Sequence, residues 1–311
     1  MQPPIHWPEG KKFAFSVFDD TDAATVANVK EVYAFLRDCG LRTTKSVWLL
    51  AGTEPPAVVG GATCAEPDYL AWVQSLQREG FEIGFHNATY HTSKREQTIR
   101  GLDEFARLFG GPPKTMATHT TCREAMYWGA HRLSGIQRLI YNVLTRFQQN
   151  NWFRGHVEGD PHFWGDLCQQ RLQYVRNFVF SEINTLKVCP FMPYRDPDRP
   201  YVNFWFASSE GGQPAAFNQT LAEANQDRLE AEGGACLMYT HFAKGFYTGG
   251  NLNARFKELI LRLSKKSGWF VPVGTLLDFL REQNGGHVIT PAERRQLERK
   301  WLWHKIRVGT T

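Results

Sequence analysis

Two adjacent carboxylates, Asp19 and Asp20, and three histidines, His86, His91 and His241, have the types that metal-assisted hydrolysis requires. One carboxylate and two imidazoles that leave coordination positions open suit zinc or a similar divalent ion acting as a Lewis acid. Such an ion lowers the pKa of bound water towards about 7, which makes a nucleophile at neutral pH. The second carboxylate of the pair can then take the proton, and a histidine on the opposite side can protonate the leaving group. The spacing of His86 and His91 limits how they act together. Five residues on an ideal helix turn by roughly 500°, which leaves the two rings about 140° apart. They cannot grip one ion from a single helix as H-E-x-x-H does. They can do so only if His86 ends a strand and the chain turns before His91, and Asn87-Ala88-Thr89-Tyr90 permits that turn.

The elements that must position these residues follow from hydrophobic pattern and turn signals. Apolar runs at 12–18, 44–50, 81–85 and 116–118 read as strands. Helical spacing at 23–39, 68–78 and 93–109 fills the gaps, with Gly40, Gly80 and the Gly-Gly-Pro-Pro stretch at 110–113 as stops. The Pro- and Gly-rich stretch 55–63 reads as a loop. Later the same rhythm gives strands at 202–207, 235–240 and 269–273, and helices at 217–232, 251–266 and 275–283. The aromatic-rich middle, about 125–201, has few clean periods and reads as an insertion. Thr290, Pro291 and Glu293 mark the start of a last helix by a capping box with proline at its first position. This alternation predicts a parallel sheet with helices packed outside it. Asp19-Asp20, His86 and His241 each follow directly on an apolar strand. In parallel α/β folds the C-terminal strand ends form the active face, so these residues are expected to meet in one cleft. The domain expectation is one barrel over 1–285 that includes the insertion, and a basic helix over 286–311 packed on or extending from it.

Composition narrows the function further. The chain has 311 residues, a formal net charge of +5 and 42% hydrophobic residues, ordinary for a globular protein. Its ten tryptophans and twenty-two phenylalanines suit a packed core or a sugar-binding cleft. The basic excess is mild and gathers at the C-terminus, so no nucleic-acid partner is expected. Cysteines 39, 64, 122, 168, 189 and 236 include no C-x-x-C pair, which argues against a zinc ribbon. No apolar run approaches the ~20 residues of a transmembrane helix. The opening MQPPIHWPEGKK has no apolar h-region, so the expected location is cytoplasmic. Oligomeric state is open.

The motifs resemble those of the polysaccharide deacetylases, the NodB-homology group of carbohydrate esterases. Phe15-Ser16-Val17-Phe18-Asp19-Asp20-Thr21 is similar to the family's T-F-D-D motif. Glu82-Ile83-Gly84-Phe85-His86, followed by His91, resembles its two-histidine motif. Cys236-Leu237-Met238-Tyr239-Thr240-His241 resembles its late strand ending in a catalytic histidine, and 268–280 its final strand and helix. The resemblance covers about 13–280. It implies a distorted (β/α)7 barrel in which Asp19 would be the general base and His241 the general acid. Asp20, His86 and His91 would bind the metal, most often zinc. The substrate would be an acetylated sugar or saccharide, losing an N- or O-acetyl group to metal-bound water.

The chain departs from the family at three places. Four residues separate His86 from His91, where the family has three. The usual R-x-P motif is replaced by Thr118-His119-Thr120-Thr121-Cys122-Arg123, which makes His119 or Arg123 the counterpart of the arginine. Trp164-Gly165-Asp166 is the only counterpart of an aspartate-tryptophan motif, so Trp164 and Asp166 join His119 and Arg123 as substrate-binding candidates. Asp22 reads as the N-cap of the following helix. Two alternatives stand beside deacetylation: an inactive sugar-binding protein on the same barrel, and a metal-dependent hydrolase of a non-sugar amide.

Overall fold

The computed structural model describes residues 5–308. Seven parallel strands close into a barrel: β1 (Phe13–Asp19), β2 (Thr44–Val47), β3 (Glu82–Phe85), β4 (Thr115–Met116), β5 (Tyr174–Phe180), β6 (Phe204–Ser209) and β7 (Ala235–Thr240). They lie side by side in chain order, and β7 closes on β1 from Ala14↔Ala235 to Asp19↔Thr240. All seven residues of β1 are buried, because barrel interior and helix layer cover its two faces. That explains why the strand reads FAFSVFD rather than alternating with polar residues. A hairpin, β8 (Tyr247–Thr248) with β9 (Asn251–Leu252), follows the barrel. A last parallel strand, β10 (Gly268–Phe270), pairs with Phe13–Phe15, while β2 takes the upper part of that edge at Phe18 and Asp19.

The helices are α1 (Val26–Asp38), α2 (Pro67–Arg78), α3 (Arg95–Phe109), α4 (Gly135–Leu144), α5 (Gly165–Arg171), α6 (Thr185–Val188), α7 (Pro214–Thr220), α8 (Glu223–Glu232), α9 (Ala254–Ser264), α10 (Val273–Asn284) and α11 (Pro291–Val308). The barrel expected from the sequence is therefore the one observed. Two expectations on elements change. The segment 125–201 is not all insertion, since β5 lies within it. Arg176 and Asn177 interrupt its apolar pattern, and both are buried. The single helix expected over 217–232 is two, α7 and α8.

The C-terminal helix α11 begins with the expected capping box. Glu293 N–H donates to Thr290 Oγ1 (3.2 Å) and Thr290 N–H to Glu293 Oε2 (2.8 Å). It packs on the barrel through Trp301, whose ring centroid lies 5.2 Å from Phe178 of β5 and 5.9 Å from Tyr141 of α4. Its Glu298 is fully buried and accepts from Ser134 N–H at 2.9 Å and from Arg199 at 3.2 Å. All six cysteines are free thiols. No helix among the described residues is long and apolar enough to cross a membrane.

Candidate metal and catalytic site

Because the strands are parallel, the residues that follow β1, β3, β4 and β7 share one rim. Asp22 sits just beyond β1. The chain turns sharply there: Ala23 takes a positive φ of 60°, and Ala24 N–H donates to Thr21 O (2.9 Å). The Gly-rich loop holds this turn from outside, with Ala23 N–H donating to Gly60 O (2.8 Å) and Ala62 N–H to Ala24 O (2.7 Å). A Cβ on Gly61 would meet Ala24 backbone at 3.0 Å, which explains a glycine at that approach. The N-cap of α1 is Thr25, not Asp22; Thr25 N–H donates to Asn28 Oδ1 at 2.8 Å. Asp22 is left to face the barrel mouth.

Four side chains converge on its carboxylate. Oδ1 lies 3.2 Å from His86 Nε2 and 3.1 Å from His119 Nδ1. Oδ2 lies 3.3 Å from His241 Nε2 and 3.1 Å from Lys244 Nζ. Burial opposes its charge, but the bonds to His119, His241 and His86 outweigh burial and hold the carboxyl far below its usual range. Asp22, His86 and His119 are all buried, and their donor atoms lie within 4.8 Å of one another. The outer nitrogens, His86 Nδ1 and His119 Nε2, are buried with no hydrogen-bond partner among the described residues. Two imidazoles aimed at one carboxylate oxygen form a nitrogen-rich set that a divalent cation between them fits.

Neighbouring side chains fix these rings. Trp48 packs against both, with centroids 5.7 Å from His86 and 5.2 Å from His119. Asn87, at a positive φ of 65°, accepts from His119 N–H (3.3 Å) and donates to Glu124 Oε1 (2.7 Å). It thereby couples the loop after β3 to the loop after β4. Burial pushes the Glu124 carboxyl up to about 7. Across the same rim, His241 Nδ1 lies 2.9 Å from Gly212 O. A carbonyl only accepts, so Nδ1 carries a proton and Nε2 is the atom free to exchange one. Burial disfavours charge on His241, but Asp22 and Asp20 raise its pKa overall. Burial likewise lowers that of His86, against the pull of Asp20 and Asp22.

The other candidates are placed differently. Both Asp20 oxygens bind Arg176, at 2.9 and 2.5 Å. Burial opposes the Asp20 charge, but Arg176 keeps the carboxyl below its usual value. Asp19 lies beneath the rim, fully buried. Its Oδ2 accepts from Lys45 Nζ and Tyr33 Oη, both at 2.9 Å, and Oδ1 from Phe242 N–H at 2.8 Å. The chain does bend between His86 and His91, yet the His91 ring turns to other partners. Thr53 N–H donates to its Nε2 (3.0 Å), and its Nδ1 faces Thr92 O (2.9 Å), so both nitrogens are engaged. Trp164 is fully buried and donates to Glu124 O at 2.6 Å. Asp166 forms a two-pronged pair with Arg95 at 2.7 Å on each arm. Arg123 stacks over Trp152, 5.3 Å from the ring centre. Sequence reasoning missed Asp22, Arg176 and Trp48. The run Asp19-Asp20-Thr21-Asp22 held a signal for the first; Arg176 lay inside an unrecognised strand.

No protein-family model matches the chain, and no curated protein sequence matches it. Solved structures do match its fold. A Mycobacterium smegmatis protein assigned to the polysaccharide deacetylases aligns over 91% of this chain and 94% of its own, with a TM-score of 0.54 and 14% identity. The PuuE allantoinase aligns over 93% of this chain and 96% of its own, with a TM-score of 0.50 and 12% identity. The chain thus shares the barrel fold of these two structures at 12–14% sequence identity.

Proposed function

We propose that the protein is a metal-dependent hydrolase that removes an acetyl group from a carbohydrate or sugar intermediate, with Asp22, His86 and His119 as the metal ligands. The observation that carries this reading is the convergence of those three donors on one rim with His241. A divalent ion, zinc foremost for two nitrogens and one oxygen, supplies Lewis acidity and a water of lowered pKa when bound. The chain's own groups do the rest. Asp20 is the remaining carboxylate whose charge acts on both His86 and His241. Arg176 keeps it ionised and oriented, so it accepts the proton of the attacking water. His241 lines the adjoining cavity, and its Nε2 gives a proton to the departing amine or alcohol. Asp19 has a positioning role, since its Oδ1 holds the backbone of Phe242, the residue after His241.

Acetate release from a panel of N- and O-acetylated sugars tests the proposal. The purified protein is expected to release acetate, to stop on chelation and to recover on adding zinc. Allantoin hydrolysis without acetate release would replace the acetyl reading by the non-sugar amide one. Full activity in the chelated protein would refute the metal role.

A further inference from the structure

We infer that the substrate carries an anionic group, a phosphate or carboxylate, that seats on Arg132 in the cavity beside His241. This rests on the hydrolase reading only for calling the ligand a substrate; the anion site stands on its own geometry. The cavity holds about 370 Å³, and its lining joins His241 and Tyr239 to Trp128, Arg132, Trp301 and Lys305. Arg132 ends the 3-10 turn Gly129–Arg132 and is 5% exposed. A guanidinium that deeply buried ordinarily meets a carboxylate. None lies within ion-pair distance of Arg132 among the described residues, and its Nε has no hydrogen-bond partner. Instead its charge lies over two aromatic rings, 3.1 Å from the centre of Trp128 and 5.3 Å from that of Trp301.

The neighbouring charges do not neutralise it. Arg176 is already matched by Asp20. Glu210, the one acid in the lining, accepts from Gly212 N–H at 2.9 Å. Lys305, buried on α11, brings a second basic side chain to the same lining. Burial and the Arg176 charge both disfavour the Arg132 cation. An anion entering from the mouth supplies the counter-charge that Arg132 lacks, with the aromatic walls left to pack an apolar or sugar face. The C-terminal helix is then part of the substrate site, because Trp301 and Lys305 come from it.

The test uses full-length protein stripped of metal with chelator, inorganic phosphate as the probe, and titration by calorimetry. Saturable binding at one site is expected. Arg132→Met should weaken it about tenfold or more, the loss of a charge-assisted hydrogen bond, and Lys305→Met by a smaller factor. His86→Ala should bind phosphate as the wild type does, which separates this site from the metal ligands. Absence of saturable binding overturns the proposal. So does unchanged binding by folded Arg132→Met, or loss of binding in His86→Ala. If Arg132→Met does not fold, unchanged binding by Lys305→Met is the overturning result. Phosphate binding without acetate release from any sugar would sink the hydrolase reading and leave the anion site standing.

Discussion

His119 Nδ1 stands 3.1 Å from Asp22 Oδ1, although 97 residues separate them in the chain. His91, only five positions from His86, has both ring nitrogens turned elsewhere. Metal affinity therefore discriminates the two. Asp22→Asn and His119→Ala are expected to weaken zinc binding by roughly 100-fold or more, beyond what loss of an outer-sphere partner costs. His91→Ala should change it only a few-fold. Competition with a chromophoric chelator measures all three.

The Asp20–Arg176 pair makes a prediction on stability. Both members are buried, so removing one leaves an uncompensated charge. Arg176→Met should destabilise the fold by about 3–5 kcal/mol. Asp20→Asn combined with Arg176→Met should recover much of that loss while leaving the enzyme inactive. Urea unfolding of the two single variants and the double variant closes the cycle.

Glu124 gives the stability a pH dependence. Unfolded, it loses its proton near 4.5; folded, burial holds the proton up to about 7. Between these values the native state binds more protons than the unfolded one, so stability falls as pH rises. The contribution is about 3 kcal/mol across that window. Glu124→Gln should flatten the decline of the urea midpoint between pH 5 and pH 8. An unchanged slope would show that Glu124 is ionised in the folded protein.

Trp164 should prove a packing residue. It is fully buried and its indole N–H donates to Glu124 O. Trp164→Phe is expected to lower stability by about 1–3 kcal/mol through the unsatisfied carbonyl and lost volume. The KM for an acetylated sugar should stay within about twofold, a change under ~0.5 kcal/mol.

Most of the barrel was legible in the sequence because its strands are short apolar runs set between amphipathic helices. β5 was not, because Arg176 is polar in sequence and buried only by virtue of Asp20, a partner 156 residues away. The rim was legible at His86 and His241, which directly follow apolar strands. Asp22 was not, because local pattern assigns an aspartate before a helix to capping, whereas here Thr25 caps and a positive φ at Ala23 turns the carboxylate inward. His91 illustrates the converse. Its nearness to His86 in sequence suggested a shared ion, but a ring's direction is set by its hydrogen-bond partners, and those are Thr53 and Thr92.

On the proposed reading Asp22, His86 and His119 hold one divalent ion. Anomalous diffraction at the zinc edge from crystals grown with zinc tests it most directly. A single strong peak is expected, bounded by Asp22, His86 Nε2 and His119 Nδ1. A peak against Asp20 or His91, or no peak at this rim, would contradict it.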